Sequence, residues 1–269
     1  MGLYAYIYTC LILVVEKINT APQRRDMSKK IKSCNSYLAS ITEIGKNFNN
    51  IAEIKTKSML SNFPEIDVSQ NRFLVIGPNI IPWGLYQMGA DVTVIDGIKN
   101  YGDVKCECKH YDGEIADFVA QGIKFDYVIA PDELLTYANN ETEQKQMLSI
   151  ISKISDKAFV TTIKDYKNMY ANQRYFEEPF TLRTSQGSAI VIRKREWDQV
   201  DRQAWIQENY IIHNNELIIC EPTNRRTMYF KQLAKFSSDL GSKSYTVDKK
   251  IMYKPAFSKT FEYIVTIKF

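Results

Sequence analysis

The residues best suited to chemistry begin at Arg72 and end at Gly97, in the run RFLVIGPNIIPWGLYQMGADVTVIDG. Two short apolar segments, Phe73–Ile76 and Val92–Ile95, flank a break at Gly77-Pro78, and the second closes on Asp96-Gly97. A glycine turn after one buried strand, with an acid at the end of the next, is how an α/β fold holds an adenosine. The turn lets backbone approach the ligand, and the carboxylate accepts hydrogen bonds from the ribose hydroxyls. Asp96 follows Gly77 by nineteen residues, near the ~20 such a pair requires. A plain strand-ending turn and a solvated strand terminus are the structural alternatives.

A second chemical group is basic. Spacing predicts a helix over Asn224–Leu240, with Thr223 as its cap, Gly241 beyond its end, and Tyr229, Leu233, Phe236 and Leu240 on one face. Arg225 and Arg226 then fall in the first turn, beside the positive end of the helix dipole, where two arginines can hold a phosphate. That suits them to nucleic acid or a phosphorylated acceptor. The alternative is a soluble helix with Arg225 paired to Glu221 and with Lys231 and Lys235 in water.

The elements that must position these residues alternate. Strands are expected at 72–76, 92–96, 104–108, 125–130 and 158–163, with helices around 82–89, 113–121 and 141–154. That order predicts a parallel sheet covered on both faces. Phe180–Thr184 and Ala189–Arg193 then flank Ser185-Gln186-Gly187-Ser188, which reads as an antiparallel hairpin. Upstream, Ile31, Cys34, Leu38, Ile41, Ile44, Phe48, Ile51 and Ile54 recur at steps of three and four, one face of a helix or a broken pair ended by Phe63-Pro64. After Trp197, strands at 210–212, 217–219 and 263–267 join the basic helix in a small α+β unit. The expected divisions are 1–26, a helical segment 27–66, a cofactor-binding domain 67–196 and a C-terminal domain 197–269.

Composition narrows the class. The chain has 269 residues, 45% of them hydrophobic and 25% charged, with a net charge of +4, as expected of a globular protein with a mild basic excess. Its five cysteines lack metal-ligand spacing and read as reduced thiols of a cytoplasmic protein. Leu3–Val15 is a thirteen-residue apolar run, short for a membrane span, so stable membrane association is not expected. Met27-Ser28-Lys29-Lys30 looks like a natural start, making 1–26 an upstream extension or a hydrophobic segment.

A parallel sheet ending in an antiparallel hairpin resembles the class I S-adenosylmethionine-dependent methyltransferases, over roughly residues 70–195. The run Arg225–Phe236 is also similar to segments of methyltransferase-like proteins of tailed phages. The resemblance implies a Rossmann-like methyltransferase sheet, with S-adenosylmethionine as cofactor. Of the family's acidic-x-Gly-x-Gly-x-Gly turn, only Gly77 is kept. Val75 stands at the acid, Asn79 at the second glycine and Ile81 at the third. The implied cofactor contacts are Gly77, Pro78 and Asn79 in the turn, Asp96 and Gly97 at the ribose, Asp112 or Tyr111 at the adenine, and Ala130 at the fourth strand end. Asp132 and Glu133 would then hold the acceptor or take its proton; starting a helix is their structural alternative. The Asp/Asn-Pro-Pro-Tyr/Phe signature of exocyclic-amine methyltransferases is absent, as is the Pro-Cys of cytosine C5 enzymes.

Two other functions fit part of this pattern. One is a catalytically silent binding module that keeps the fold and works through its basic C-terminal helix. The other is a nicotinamide enzyme, which the expected hairpin disfavours and a sixth parallel strand would favour.

Overall fold

Every position of Phe73–Ile76 is a large apolar residue, and all four are buried. A strand with no polar face must have both sides covered, which is the condition of a central parallel strand. The computed structural model describes Leu38 and residues 48–101, 104–131, 134–164, 166, 179–184, 187–248 and 262–269. The readings of residues 1–26, and those of Asp132 and Glu133, lie outside these.

In chain order the elements are α1 (Phe48–Met59), β1 (Arg72–Ile76), α2 (Ile81–Gln87), β2 (Asp91–Ile95), β3 (Asn100–Tyr101), β4 (Val104–Lys105), β5 (Lys109–Tyr111), α3 (Ile115–Ala120), β6 (Phe125–Ala130), α4 (Glu141–Ile154) and β7 (Ser155–Lys164). There follow β8 (Phe180–Thr184), β9 (Gly187–Trp197), β10 (Ala204–His213), β11 (Glu216–Ile219), β12 (Thr223–Arg226), α5 (Phe230–Asp239), β13 (Ser244–Asp248) and β14 (Glu262–Lys268). The main sheet runs β13-β14-β7-β6-β1-β2-β5. Strands β7, β6, β1, β2 and β5 are mutually parallel. This is the expected Rossmann-like α/β sheet.

Alternate residues of its strands feed two cores. Leu74, Ile76, Val128 and Phe159 pack with Leu148, Ile151 and Ile154 of α4. Phe73, Val75, Ile129 and Val160 face the other way, toward Ile81, Leu85 and Met59. Helix α4 starts where expected, because the Asn140 side chain accepts from the Glu143 amide at 2.9 Å and Glu141 and Glu143 lie in its first turn, favourable at the positive end of the dipole.

The antiparallel end of the sheet comes from a different part of the chain than expected. The 180–193 segment does form a hairpin, with Thr184 opposite Gly187. It belongs, however, to a second sheet, β11-β10-β9-β8, with β12 beside β10. In the main sheet β14 runs antiparallel along β7, and β13 along β14. Burial explains the choice. Ile264 and Val265 are wholly buried and point into opposite cores, so β14 needs an interior position. Strand β8, with Thr184 its one fully buried residue, suits an edge. Sheet membership therefore crosses the boundary expected at 196/197, and among the described residues no sixth parallel strand follows β7.

Two helix readings also change. Arg225 and Arg226 lie on β12, opposite Trp205 and Ala204, and α5 begins only at Phe230. The silent-module reading thereby loses the arginines of its basic helix. In α1 the buried stripe is Phe48, Ala52, Thr56 and Met59, whereas Ile51 and Ile54 are 47% and 63% exposed. Small residues face inward because α2 approaches closely: Thr56 Oγ1 donates to the Ile81 carbonyl at 3.3 Å. A Cβ on Gly84 would stand 2.2 Å from Thr56 Oγ1 and 2.5 Å from the Ala52 carbonyl oxygen. Because backbone cannot swing aside, Gly84→Ala should lower unfolding free energy by about 2–3 kcal/mol, the upper part of the overpacking range. Denaturant titration of the variant checks this.

Candidate functional site

The carboxyl ends of parallel strands are where open α/β sheets take ligands. Here the ends of β1 and β2 are tied together by the Gly77 amide, which donates to the Ile95 carbonyl at 2.9 Å. Gly77 has φ +92°, a conformation that glycine adopts at little cost. Pro78 follows it, half-buried, into the turn. The Asn79 amide group donates to the Gly77 carbonyl at 2.9 Å, and its side-chain oxygen accepts from the Ile81 amide at 3.0 Å. One side chain thus braces the turn and satisfies a free N–H at the start of α2. A loop with glycine there would leave both groups to solvent or ligand.

Beyond β2, Asp96 is exposed and sits at φ 51°, in the left-handed region that Asp and Asn tolerate best among side-chain-bearing residues. Gly97 sits close against Val94, whose Cγ1, 2.1 Å from where a Cβ would stand, would have to shift to admit one. A cavity of about 220 Å³ opens between the ends of β2 and β5, lined by Asp96, Gly97, Lys99, His110, Tyr111 and Asp112 among others. Asp96, Gly97 and Asp112, separated in sequence, are therefore brought into one site. Gly77 borders it: its carbonyl oxygen lies 3.8 Å from where a Cβ on Gly97 would be.

Each wall of the cavity has a physical basis. The Tyr111 hydroxyl donates to Asp117 at 3.2 Å and its ring packs on Phe118, so its orientation is fixed. Lys99 and Asp112 form a 3.1 Å ion pair with side chains 60% and 81% exposed. Such a pair is worth no more than ~1 kcal/mol, so a ligand can displace it readily. His110 lies on β5 opposite Val94, and its Nε2 is buried without a hydrogen-bond partner. Lys99 is not singled out from sequence, and His110 reads there as a turn residue beside the sheet rather than a catalyst, whereas it lies on a strand of the sheet. The only signal for His110 was the alternation Cys106, Cys108, His110 along an extended segment.

The thiols of that series are not in the cavity lining, and Cys106 is buried with Phe48 and Trp83. Cys108 donates to the Pro82 carbonyl at 3.5 Å. Its hydrogen bond to Cys106 brings the Cys106 thiol down to about 6 against the opposing effect of burial, while the same contact and burial push Cys108 up. Among the described residues no group of His, Cys, Asp and Glu could hold a metal ion.

Across β1 from β2, Ala130 ends β6 in full burial, and its carbonyl accepts from Thr161 Oγ1 at 2.7 Å. Arg225 and Arg226 are away from the Asp96 cavity. Arg226 is engaged with Asp201 and Gln203. Arg225 stacks on Tyr137, in the short turn that follows β6. Among the described residues no helix is long and apolar enough to cross a membrane.

No protein-family model matches the sequence, and no curated protein matches it. Solved structures do. The chain is similar to the CcbJ methyltransferase from Streptomyces caelestis, with a TM-score of 0.58 and 12% identity over 81% of this chain and 89% of that one. It is similar to an S-adenosylmethionine-dependent methyltransferase from Clostridium acetobutylicum, with a TM-score of 0.57 and 9% identity over 97% and 98%. The sugar N-methyltransferase KedS8 from a Streptoalloteichus species gives 0.58 and 9% over 91% and 98%. The fold is that of the class I S-adenosylmethionine-dependent methyltransferases.

The Asn79 brace makes a testable claim about the turn. Asn79→Ala removes the bonds to Gly77 and Ile81, at ~1 kcal/mol net each, so the unfolding free energy should fall by about 1–2 kcal/mol. Denaturant titration measures it, and an unchanged midpoint would show that water replaces the side chain.

Proposed function

We propose that this protein is an S-adenosylmethionine-dependent methyltransferase whose cofactor lies along the ends of β1, β2 and β5. The observation that carries the reading is the meeting of Asp96 and Asp112 in one cavity beside Gly77. The cavity walls suit the nucleoside end of such a cofactor: exposed carboxylates, a fixed aromatic ring and an unpartnered imidazole nitrogen. When bound, the cofactor supplies an electrophilic methyl group on its sulfonium sulfur.

The chain's own residues position and deprotonate. Asp96 accepts hydrogen bonds from the ribose hydroxyls. Asp112, released from Lys99, accepts from the adenine amino group, against the wall that Tyr111 provides. Gly77 and Pro78 leave backbone room for the amino-acid end, within a turn that Asn79 keeps rigid. Asp132 and Glu133 follow β6 in sequence, the position from which an acceptor can be oriented and its proton taken. Similarity to a sugar N-methyltransferase supports a small-molecule acceptor over nucleic acid. A nicotinamide cofactor suits the sheet less well, because β14 runs antiparallel where a sixth parallel strand is needed.

Asp96 allows binding to be separated from folding. Asp96→Gly relieves a left-handed backbone while deleting the carboxylate, so its unfolding midpoint should not fall. Its affinity for S-adenosylhomocysteine should drop about 10- to 100-fold, the loss of hydrogen bonds to a charged group at ~1.5–3 kcal/mol. Isothermal titration of the wild type and of the variant decides. Equal affinities would remove Asp96 from the site, and no binding to the wild type would overturn the reading.

A further inference from the structure

Arg225 is a buried cation with no neutralising partner among the described residues. The residue is only 8% exposed, and its Nε and Nη1 are fully buried with no hydrogen-bond acceptor. Among the described residues no carboxylate pairs with it. Its guanidinium lies over the face of Tyr137, 3.6 Å from guanidinium carbon to ring centroid. A cation–π contact steadies the charge but leaves the N–H groups unsatisfied, and a desolvated charge with unmade hydrogen bonds is costly to fold.

The neighbours of Arg225 share this deficit. Trp205 lies directly opposite it across the β10–β12 pair, and Trp205 Nε1 is buried without a partner. Thr227, two residues further along and wholly buried, has an unpartnered Oγ1. Three donor-bearing side chains at neighbouring positions thus lack hydrogen-bond partners among the described residues. The surroundings are fixed rather than loose. Gln144 Nε2 donates to the Leu135 carbonyl at 3.1 Å and to the Thr227 carbonyl at 3.0 Å, locking the turn after β6 to the end of β12. Tyr137 is 41% exposed, so the stacked pair reaches solvent along the ring.

We propose that Arg225, stacked on Tyr137, binds an oxyanion of the methyl acceptor, a carboxylate or a phosphate, with Trp205 and Thr227 as further donors. The turn bearing Tyr137 leaves the carboxyl end of β6, the same edge of the sheet as the Asp96 cavity. A planar guanidinium matches either oxyanion through paired N–H bonds. Assigning the anion to the methyl acceptor rests on the methyltransferase reading; the anion site itself does not.

The test uses the full chain at fixed ionic strength. Inorganic phosphate and acetate are titrated separately by calorimetry, with S-adenosylhomocysteine in a third titration. At least one anion should bind saturably, more weakly by tenfold or more in Arg225→Gln and equally well in Lys109→Gln, a surface cation paired with Asp91. Preference for phosphate or for acetate distinguishes a phosphorylated from a carboxylated acceptor. Arg225→Met keeps an apolar stem over Tyr137 and removes the unpaired charge, so its melting temperature should hold or rise while anion binding is lost. Failure of both anions to bind, binding that survives in Arg225→Gln, or a melting temperature lowered by several degrees in Arg225→Met would overturn the proposal. If S-adenosylhomocysteine binds and neither anion does, this inference alone fails. If an anion binds through Arg225 and S-adenosylhomocysteine does not, the anion site stands and its assignment to a methyl acceptor fails.

Discussion

Strands β1 and β6 have no solvent face, and the remaining architecture is arranged to keep it so. Their side chains point alternately into two separate apolar cores, so helices must cover the sheet on both sides and the connections must cross over. Parallel strands then all finish at one edge. Backbone that turns sharply away from buried strands gathers there, which is why Gly77 and Asp96, both at positive φ, end adjacent strands. Asp96 is not strained for lack of a better residue. A carboxylate carried on a left-handed corner projects from the strand end, where a ligand can meet it.

The same constraint explains the return of the chain. Once β7 is in place, its free edge needs a partner buried on both faces, and Ile264, Val265 and Ile267 supply one. The last strands therefore complete the sheet begun by β1, while the second sheet, β8 to β12, is inserted between β7 and β13 in sequence. Its Trp197 and Trp205 pack into the core that contains α4. Arg225 consequently comes to rest against the turn after β6.

What could be read from the residues was what local pattern determines. Strands β1 and β6 and helix α4 announce themselves by unbroken apolar runs or by a cap followed by acids, and each has the bounds expected. The place of Asp96 at the end of β2 was legible from its spacing after Gly77, while Asp112 or Tyr111 came only from the family resemblance, and all three line one cavity. Pairing between distant segments was not legible. The hairpin at 180–193 and the strand at 262–268 carry similar apolar signals, and only two-sided burial separates them. Arginines on β12 look like a helix start because Thr223 and Gly241 frame a plausible helix, whereas the pairing with β10 is a non-local fact. Large isoleucines drew the apolar stripe of α1 to the wrong side, since close helix approach at Gly84 favours Ala52 and Thr56. Tyr137 gave no signal, because its role depends on Arg225 arriving from elsewhere.

On the proposed reading, the two ends of this edge have complementary chemistry. Carboxylates at β2 and β5 face the hydroxyl and amino donors of a nucleoside, and guanidinium, indole and hydroxyl donors near β6 face an anion. Hydrogen–deuterium exchange with and without saturating S-adenosylhomocysteine tests the central claim most directly, since it reads backbone at the strand ends. Slowed exchange in residues 76–81, 94–99 and 110–113 is the predicted result. Unchanged exchange in all three segments, or protection confined to the second sheet, would contradict the assignment of this edge as the cofactor site.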